Sequence, residues 1–226
     1  MKKIFPTRKK GISFLSKKWI LAICLVSIAG NTPATQPPKS GKAYVVSNAH
    51  MDTQWLWTVQ TSIIDYIPRT IYQNLALIRD YPNYIFNFEG AIKYNWMKEY
   101  YPLDYEKVKE AIKNGRWHVS GSSWDANDVN VPSPESSFRN ILLGQEFYKK
   151  EFGLKSTDIF LPDCFGFGYT LPSIAKHCGL IGFSSQKLDW RNHPFYGESK
   201  HPFMLGLWKG IITPQTAYSC YHGFVY

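Results

Sequence analysis

The pattern of apolar and polar positions from residue 43 onwards predicts strands and helices that alternate along the chain. Short β-branched and aromatic runs bounded by polar residues indicate strands, and apolar residues that recur every three or four positions indicate helices. The predicted strands cover residues 43–47, 84–88, 117–120, 158–161 and 180–183. The predicted helices cover residues 62–78, 90–100, 104–114, 135–152 and 171–178.

Several residues mark where these helices begin, bend or end. Ser62 followed by Asp65 is a capping-box pattern, which predicts the start of the first helix, and Pro68 predicts a kink or a division within it. Gly115 and Gly153 are typical of the residue that ends a helix. On the fourth helix the spacing predicts a buried face made of Phe138, Leu142, Gln145, Tyr148 and Phe152.

The alternation of strands and helices predicts an α/β fold with a parallel sheet and helices outside it. Such a sheet is either open and doubly wound or closed into a barrel. No GxGxxG pattern follows the first predicted strand, which argues against a dinucleotide-binding fold. We therefore expect a (β/α) barrel, in which the reactive groups lie at the carboxyl ends of the strands.

Polar side chains follow each of the five predicted strands. They are His50 and Asp52, then Glu89, then Asp125 and Asp128, then Asp163, and finally Gln186 with Lys187. Five such clusters at the same end of five consecutive strands are much less expected by chance than any one of them. A metal-dependent hydrolase is therefore the leading class of function.

Each of these signals also has a plainer structural explanation when it is taken alone. The alternate positions of His50 and Asp52 point to one side of an extended segment, and an imidazole with a carboxylate suits zinc. The same two residues could instead cap a loop. Asp163 could cap the following turn or helix, and Trp55 could be a core residue.

The distribution of charge excludes one class of partner. The formal net charge is +9, but residues 1–29 hold seven basic residues and no acidic ones, so the rest of the chain carries only +2. A nearly neutral body does not predict nucleic-acid binding. The content of 44% hydrophobic against 19% charged residues excludes a disordered chain.

The N-terminal segment, residues 1–29, has the pattern of a secretory signal peptide. Basic residues precede an apolar run over 19–30, and Ser27 and Ala29 supply small residues for cleavage near Ala29. The run is shorter than the roughly 20 residues that a stable membrane span needs, although an uncleaved anchor is the alternative. We expect a secreted or periplasmic protein, a linker over 30–42 and a catalytic domain over 43–226.

Three motifs occur in order along this domain, over residues 49–55, 124–139 and 162–166, with the sequences AHMDTQW, WDANDVNVPSPESSFR and PDCFG. Because of these three motifs, the chain resembles the α-mannosidases of glycoside hydrolase family 38 over about residues 43 to 208. The resemblance implies a seven-stranded (β/α) barrel, of which this chain holds an incomplete part. It also implies a bound Zn²⁺ ion, mannose-containing oligosaccharide substrates and retention of the anomeric configuration.

The resemblance assigns roles to individual residues. It implies that His50, Asp52 and Asp163 are zinc ligands and that Asp163 is also the catalytic nucleophile. It further implies substrate-binding roles for Trp55, Phe165, Lys187 and Asp128. Lys187 stands where better-known members have an arginine, so it keeps the charge without the two-pronged donor geometry.

The C-terminal part departs from the family pattern. The general acid and the last zinc-binding histidine of the family come from later strands, and we assign neither role to a residue of this chain. Surface or loop positions are expected for His193, His201 and His222. We therefore expect an N-terminal fragment or a truncated product in which residues 43–226 alone hold zinc weakly and show no turnover.

Two other functions stay open at this point. A zinc-dependent carbohydrate deacetylase can also carry a His/Asp metal site on a barrel, but its zinc activates a water molecule. The other alternative is a non-catalytic relic that still binds mannose or zinc. The sequence does not indicate the oligomeric state or the linkage specificity.

Overall fold

A computed structural model of the protein describes residues 45–187 and 206–210, together with the backbone of residue 205 and of residues 216–221. The predicted signal peptide, the predicted linker and the three histidines after residue 190 lie outside these residues. The strands are β1 (Ser47–Ala49), β2 (Phe86–Glu89), β3 (Trp117–Ser120), β4 (Asp158–Phe160), β5 (Gly182–Ser185), β6 (Leu205–Lys209) and β7 (Thr216–Tyr221). The α-helices are α1 (Val59–Thr61), α2 (Ile67–Asp80), α3 (Ala91–Tyr100), α4 (Pro102–Lys113), α5 (Pro134–Phe152) and α6 (Leu171–His177).

The strands form two sheets that carry the predicted parallel pairing. In the first sheet the order is β1-β2-β3 and both pairs are parallel, with Phe86 opposite Trp117. In the second sheet the order is β4-β5-β7-β6, where β4, β5 and β7 are parallel and β6 is antiparallel to β7. The Ser122 N–H donates to the Asp158 carbonyl at 2.9 Å, which links the end of β3 to β4. The α/β class with parallel strands is confirmed.

The first helical region begins earlier than its capping-box pattern predicts. Thr58 is the N-cap of α1, and its side chain accepts a hydrogen bond from the Thr61 N–H. Ser62 is buried inside a π-helical turn instead, where its hydroxyl accepts from the Trp57 indole N–H at 2.8 Å. Pro68 lies in the first turn of α2, directly after this π-turn, so the predicted division of the helix is confirmed.

Three strands begin two or more residues later than predicted. Val45 is 91% exposed and lies before β1, which starts only at Ser47. Ile85 is exposed before β2 in the same way, and β5 starts at Gly182 rather than at residue 180. Apolar composition predicted the approximate positions of these strands. The residue at which a strand begins depends instead on whether a neighbouring strand offers a hydrogen-bond partner there. Only β3 has its predicted bounds.

The predicted buried face of α5 is partly correct, because Tyr148 is buried and Phe138 and Phe152 pack partly buried against the core, whereas other positions differ by one residue. The structure buries Ser137, Ile141, Gly144 and Tyr148, whereas Leu142 is 57% exposed. A Cβ at Gly144 would overlap the backbone of Ser122, so α5 approaches the segment after β3 through this glycine. The close packing at Gly144 places this glycine on the buried side of the helix, where the prediction had placed Gln145.

Two hydrophobic clusters hold the elements together. The larger cluster lies beneath the first sheet and is aromatic, with Trp117 packed edge-on against Phe86 at 4.7 Å between ring centroids. The Trp117 indole N–H donates to the hydroxyl of the buried Tyr94 at 2.9 Å. The smaller cluster packs α6 against β4 and β5, with Phe183 at its centre. Among the described residues, no helix combines the length and the hydropathy that a membrane span requires.

Candidate active site

Three metal-capable side chains converge where β1 and β4 end. His50 and Asp52 follow β1, Asp163 follows β4, and one donor atom from each lies within 4.8 Å of the others. The side chains of His50, Asp52 and Asp163 are 22%, 37% and 34% exposed, so a solute can reach them. A cavity of about 150 Å³ opens over them, and its lining also includes Asp128 and Phe165. This is the end of the sheet where the sequence predicted a site.

His50 has a carboxylate beside each ring nitrogen. Its Nδ1 lies 3.0 Å from Glu89 Oε1 and its Nε2 lies 3.2 Å from Asp52 Oδ1. Burial lowers the pKa of His50, but the carboxylate of Glu89 more than offsets this, so the pKa lies above its ordinary value. A neutral His50 ring carries one N–H proton, but it faces two carboxylate acceptors, Glu89 and Asp52. A cation between Nε2, Asp52 and Asp163 would satisfy the second acceptor, and one imidazole with two carboxylates is a donor set that zinc accepts.

Glu89 forms the floor beneath His50 together with Lys93. Glu89 ends β2, and its second oxygen forms an ion pair with the Lys93 ammonium from the first turn of α3. Burial acts to raise the pKa of Glu89, but Lys93 and His50 outweigh it and hold that pKa below its ordinary value. Sequence reasoning noted Glu89 at a strand end and missed Lys93. Glu89 lies on a strand and Lys93 on a helix, so their four-residue separation is not a pairing along one helix and gave no signal.

Asp163 has a cation of its own at the rim of the cavity. The Lys187 ammonium lies 2.6 Å from Asp163 Oδ1 and 4.8 Å from the centroid of the Phe165 ring. Phe165 is half exposed and forms one wall of the cavity. Lys187 does not line the cavity itself, so it acts on the site through its contacts with Asp163 and Phe165.

The loop after β3 carries two aspartates with different surroundings. Asp128 lines the cavity, and its Oδ1 accepts a hydrogen bond from the Asn130 N–H at 2.8 Å. Asp125 is more buried, and burial raises its pKa. Its Oδ2 accepts from the Thr53 hydroxyl, and Asn140 of α5 donates to its carbonyl. Asp125 and Asn140 therefore brace the loops, and sequence reasoning missed Asn140.

Trp55 is separate from the cavity in this structure. Its side chain is 68% exposed, and its ring packs against Trp57 at 6.0 Å between centroids. It does not belong to the lining of the cavity over His50. Its contact with a sugar stays a prediction.

A larger cavity of about 610 Å³ lies elsewhere, between α5 and α6. Its lining includes Phe138, Leu142 and His177, and it contains none of the converging groups His50, Asp52 and Asp163. Volume alone therefore does not identify the candidate site, which is the smaller cavity where nitrogen and carboxylate donors meet.

Comparison with known families decides the assignment of the chain. Residues 40–216 match the family model described as the N-terminal domain of family 38 glycosyl hydrolases. The chain belongs to glycoside hydrolase family 38. The recognition made from the three motifs is thereby confirmed.

Curated relatives of this family 38 chain are similar over most of its length. It is 36% identical to alpha-mannosidase G of Dictyostelium discoideum over 75% of the chain and 15% of that protein. It is 35% identical to an alpha-mannosidase of Saccharomyces cerevisiae over 76% of the chain and 15% of that protein. The chain thus spans about 15% of the length of these relatives.

Solved structures support the fold. An alpha-mannosidase from Enterococcus faecalis V583 superimposes with a TM-score of 0.64 at 22% identity, over 78% of this chain and 19% of that one. A second family 38 protein from Enterococcus faecalis gives 0.54 at 24% identity, over 63% of this chain and 16% of that one. At these identities the likeness concerns architecture, and it agrees with the barrel-type fold expected from the sequence.

Proposed function

We propose that this chain forms the zinc-binding and nucleophile-bearing part of a retaining α-mannosidase that acts on mannose-containing oligosaccharides. The observation that carries the proposal is the convergence of His50, Asp52 and Asp163 within 4.8 Å at the strand ends. The names of the relatives support the activity, since each relative described above is an alpha-mannosidase. Membership of family 38 favours a glycosidase over the deacetylase alternative.

His50, Asp52 and Asp163 would hold the zinc ion. When bound, zinc would orient the sugar through its hydroxyls and stabilise developing negative charge. Its donor atoms come from two segments, because His50 and Asp52 follow β1 whereas Asp163 follows β4. The proposed metal would therefore link the two sheets at the site.

Asp163 is the proposed nucleophile. A retaining glycosidase uses one carboxylate to attack the anomeric carbon and a second carboxyl group to protonate the departing oxygen, with about 5–5.5 Å between them. Attack by Asp163 forms a mannosyl ester as the bond to the leaving oxygen breaks, and water then hydrolyses that ester. The hydrogen bond from Lys187 at 2.6 Å orients the carboxylate for this attack. We assign no general acid within this chain.

The cavity wall supplies the proposed contacts with the sugar. The half-exposed ring of Phe165 offers an apolar face to the carbon-bound hydrogens of a pyranose. Asp128 is exposed and lines the same cavity, so its free carboxylate oxygen can accept from a sugar hydroxyl. We propose a further contact from Trp55, which lies on the loop that begins at Asp52. Export through the segment 1–29 is likewise proposed.

Hydrolysis of an aryl α-mannoside by a full-length enzyme that contains this chain, in the presence of zinc, tests the proposal, because no turnover is expected of residues 43–226 alone. We expect the α anomer as the first product in a proton NMR time course. Asp163→Asn is expected to lower kcat by more than a thousandfold, because it removes the charge of the nucleophile and keeps its shape. The matched control is Asp128→Asn, which removes a charge from the same cavity and is expected to lower kcat/KM far less.

The outcome that contradicts the nucleophile assignment is equally definite. Turnover by Asp163→Asn within about tenfold of the unaltered protein, a barrier difference of only about 1.4 kcal/mol, would contradict it. Initial release of the β anomer would contradict retention. Release of acetate from an acetylated sugar, without glycoside cleavage, would indicate the deacetylase instead.

A further inference from the structure

The carboxylate of Glu89 is shared between two donors. Oε1 lies 3.0 Å from His50 Nδ1, and Oε2 pairs with the Lys93 ammonium. A carboxylate in its charged form only accepts hydrogen bonds, so the atom facing Oε1 must bring the proton. Asp52 faces Nε2 in the same way at 3.2 Å, but its side chain is 37% exposed and water can solvate it, whereas that of Glu89 is 3% exposed. The single proton of a neutral His50 ring therefore goes to Nδ1, and the lone pair of Nε2 faces Asp52 and Asp163.

Lys93 keeps Glu89 in this role. Its side chain is fully buried, and an ammonium has three donors and no acceptor, so it requires a charged acceptor at that place. The side chain folds back over Gly90, where a Cβ would lie only 3.3 Å from Lys93 Cε and Nζ. Gly90 also has a φ of 88°, a conformation that glycine adopts without strain. The turn after β2 is therefore built around the ion pair.

We propose that Glu89 and Lys93 are positioning residues that hold His50 in its Nδ1–H tautomer, which leaves Nε2 open toward Asp52 and Asp163. The side chains of the pair are 0% and 3% exposed, which places them out of reach of a substrate, so the pair acts through His50. The identity of the ion that Nε2 meets rests on the proposed function, whereas the tautomer is a property of the chain without metal. A carboxylate behind a metal-binding histidine commonly fixes its tautomer in this way.

The substitution Glu89→Gln tests the proposal because an amide has only one acceptor atom. The buried ammonium of Lys93 binds that oxygen, because a buried charged donor without an acceptor costs more free energy than a neutral ring without one. The amide NH₂ then faces His50 Nδ1, which must accept, so the ring proton moves to Nε2. The expected result is an inverted tautomer that blocks the metal-binding nitrogen.

The double substitution Glu89→Gln with Lys93→Met is the rescue variant. Without the ammonium, the amide of residue 89 is free to present its oxygen to His50 Nδ1. The Nδ1–H form is therefore expected to return, at least as part of a mixture. Lys93→Met also removes the buried charge, so the double variant avoids leaving an ion without a partner.

The experiment measures long-range proton–nitrogen NMR correlations of the histidine rings in the metal-free 226-residue chain, at a pH high enough that His50, whose pKa is raised by Glu89, is neutral. A His50→Gln spectrum assigns the signals of His50. We expect Nδ1–H in the unaltered chain, Nε2–H in Glu89→Gln, and Nδ1–H regained in the double variant. Zinc affinity, measured by competition with a chromophoric chelator, should fall roughly 10–100-fold in Glu89→Gln and recover to within several-fold in the double variant.

Two controls separate positioning from a general structural effect. Glu135→Gln removes a glutamate from an exposed pair with Arg139 at the same four-residue spacing, and it should change neither the His50 tautomer nor zinc affinity. The exposed His118 on β3 should give unchanged signals in every variant.

The outcomes distinguish this inference from the proposed function. An Nε2–H tautomer in the unaltered chain, or the same tautomer with and without Glu89→Gln, overturns the inference, and the first of these needs no variant to fold. The predicted tautomers without zinc binding at His50 support the inference and overturn the proposed metal site.

Discussion

Two lysine–carboxylate pairs flank the candidate site, one at its floor and one at its rim. The floor pair joins Lys93 of α3 to Glu89 at the end of β2 in the first sheet, and its side chains are 0% and 3% exposed. The rim pair, Lys187–Asp163, follows strands of the second sheet, and its side chains are 15% and 34% exposed. The chemistry of the two pairs is the same, but their access to solvent differs. Burial makes the floor pair part of the framework, and exposure leaves the rim pair available to ligands.

The surroundings of the two pairs reinforce this difference. The floor pair lies next to the aromatic cluster of the first sheet, and the Lys93 ammonium is 5.5 Å from the centroid of the Phe88 ring. The rim pair opens onto the cavity through Asp163. We infer that the floor pair sets the orientation of His50. We also infer that Asp163 of the rim pair exchanges its contact with Lys187 for a cation or a sugar when either one binds.

The largest expected effect comes from breaking the floor pair. Lys93→Met leaves the buried carboxylate of Glu89 with His50 as its remaining hydrogen-bond partner. Loss of one partner of a buried ion pair costs about 3–5 kcal/mol, and we expect about 3 kcal/mol in the free energy of unfolding because His50 remains. Urea unfolding followed by circular dichroism measures this loss.

The matched change at the rim is Lys187→Met. Since the rim pair is partly exposed, we expect at most about 1 kcal/mol of lost stability. Equal losses for Lys93→Met and Lys187→Met would contradict the distinction between floor and rim.

A moderate effect is expected on zinc affinity at the rim. The Lys187 ammonium and a zinc ion compete for the carboxylate of Asp163, so Lys187→Met should tighten zinc binding by roughly fivefold, about 1 kcal/mol. Lys187→Arg retains the charge and serves as the control, with little expected change. Weaker zinc binding in Lys187→Met would show that Lys187 supports the metal site rather than competing with it.

The smallest effect is expected for a pair on the outside of the molecule. Glu135 and Arg139 on α5 have the same four-residue spacing as Glu89 and Lys93, but both are largely exposed. Glu135→Gln should leave the urea midpoint unchanged within error, because water already solvates both charges. A shift as large as that of Lys93→Met would mean that spacing, rather than burial, determines the role of the floor pair.

The sequence predicted the fold class and the end of the sheet where the site lies, because both follow from local patterns. Helix α5 has the expected bounds within one residue, since Gly153 ends it in a left-handed conformation with φ of 70°. The resemblance to family 38 implied that His50, Asp52 and Asp163 lie together, and the structure brings them together.

Features that depend on contacts between distant segments were not predictable in this way. A buried lysine has no local signature, because lysine in a helix ordinarily indicates a solvated position. Lys93 is buried only because Glu89 arrives from the preceding strand end. The displaced face of α5 likewise depends on the approach of the Ser122 backbone to Gly144, which no periodicity within the helix reveals.

The central claim is that His50, Asp52 and Asp163 form one zinc site, and calorimetric titration of the metal-free 226-residue chain with zinc tests it most directly. We expect one zinc ion per chain with weak, micromolar affinity, and loss of this binding in His50→Ala and in Asp163→Ala. Zinc binding that is absent from the chain, or that persists unchanged in both variants, would contradict the account.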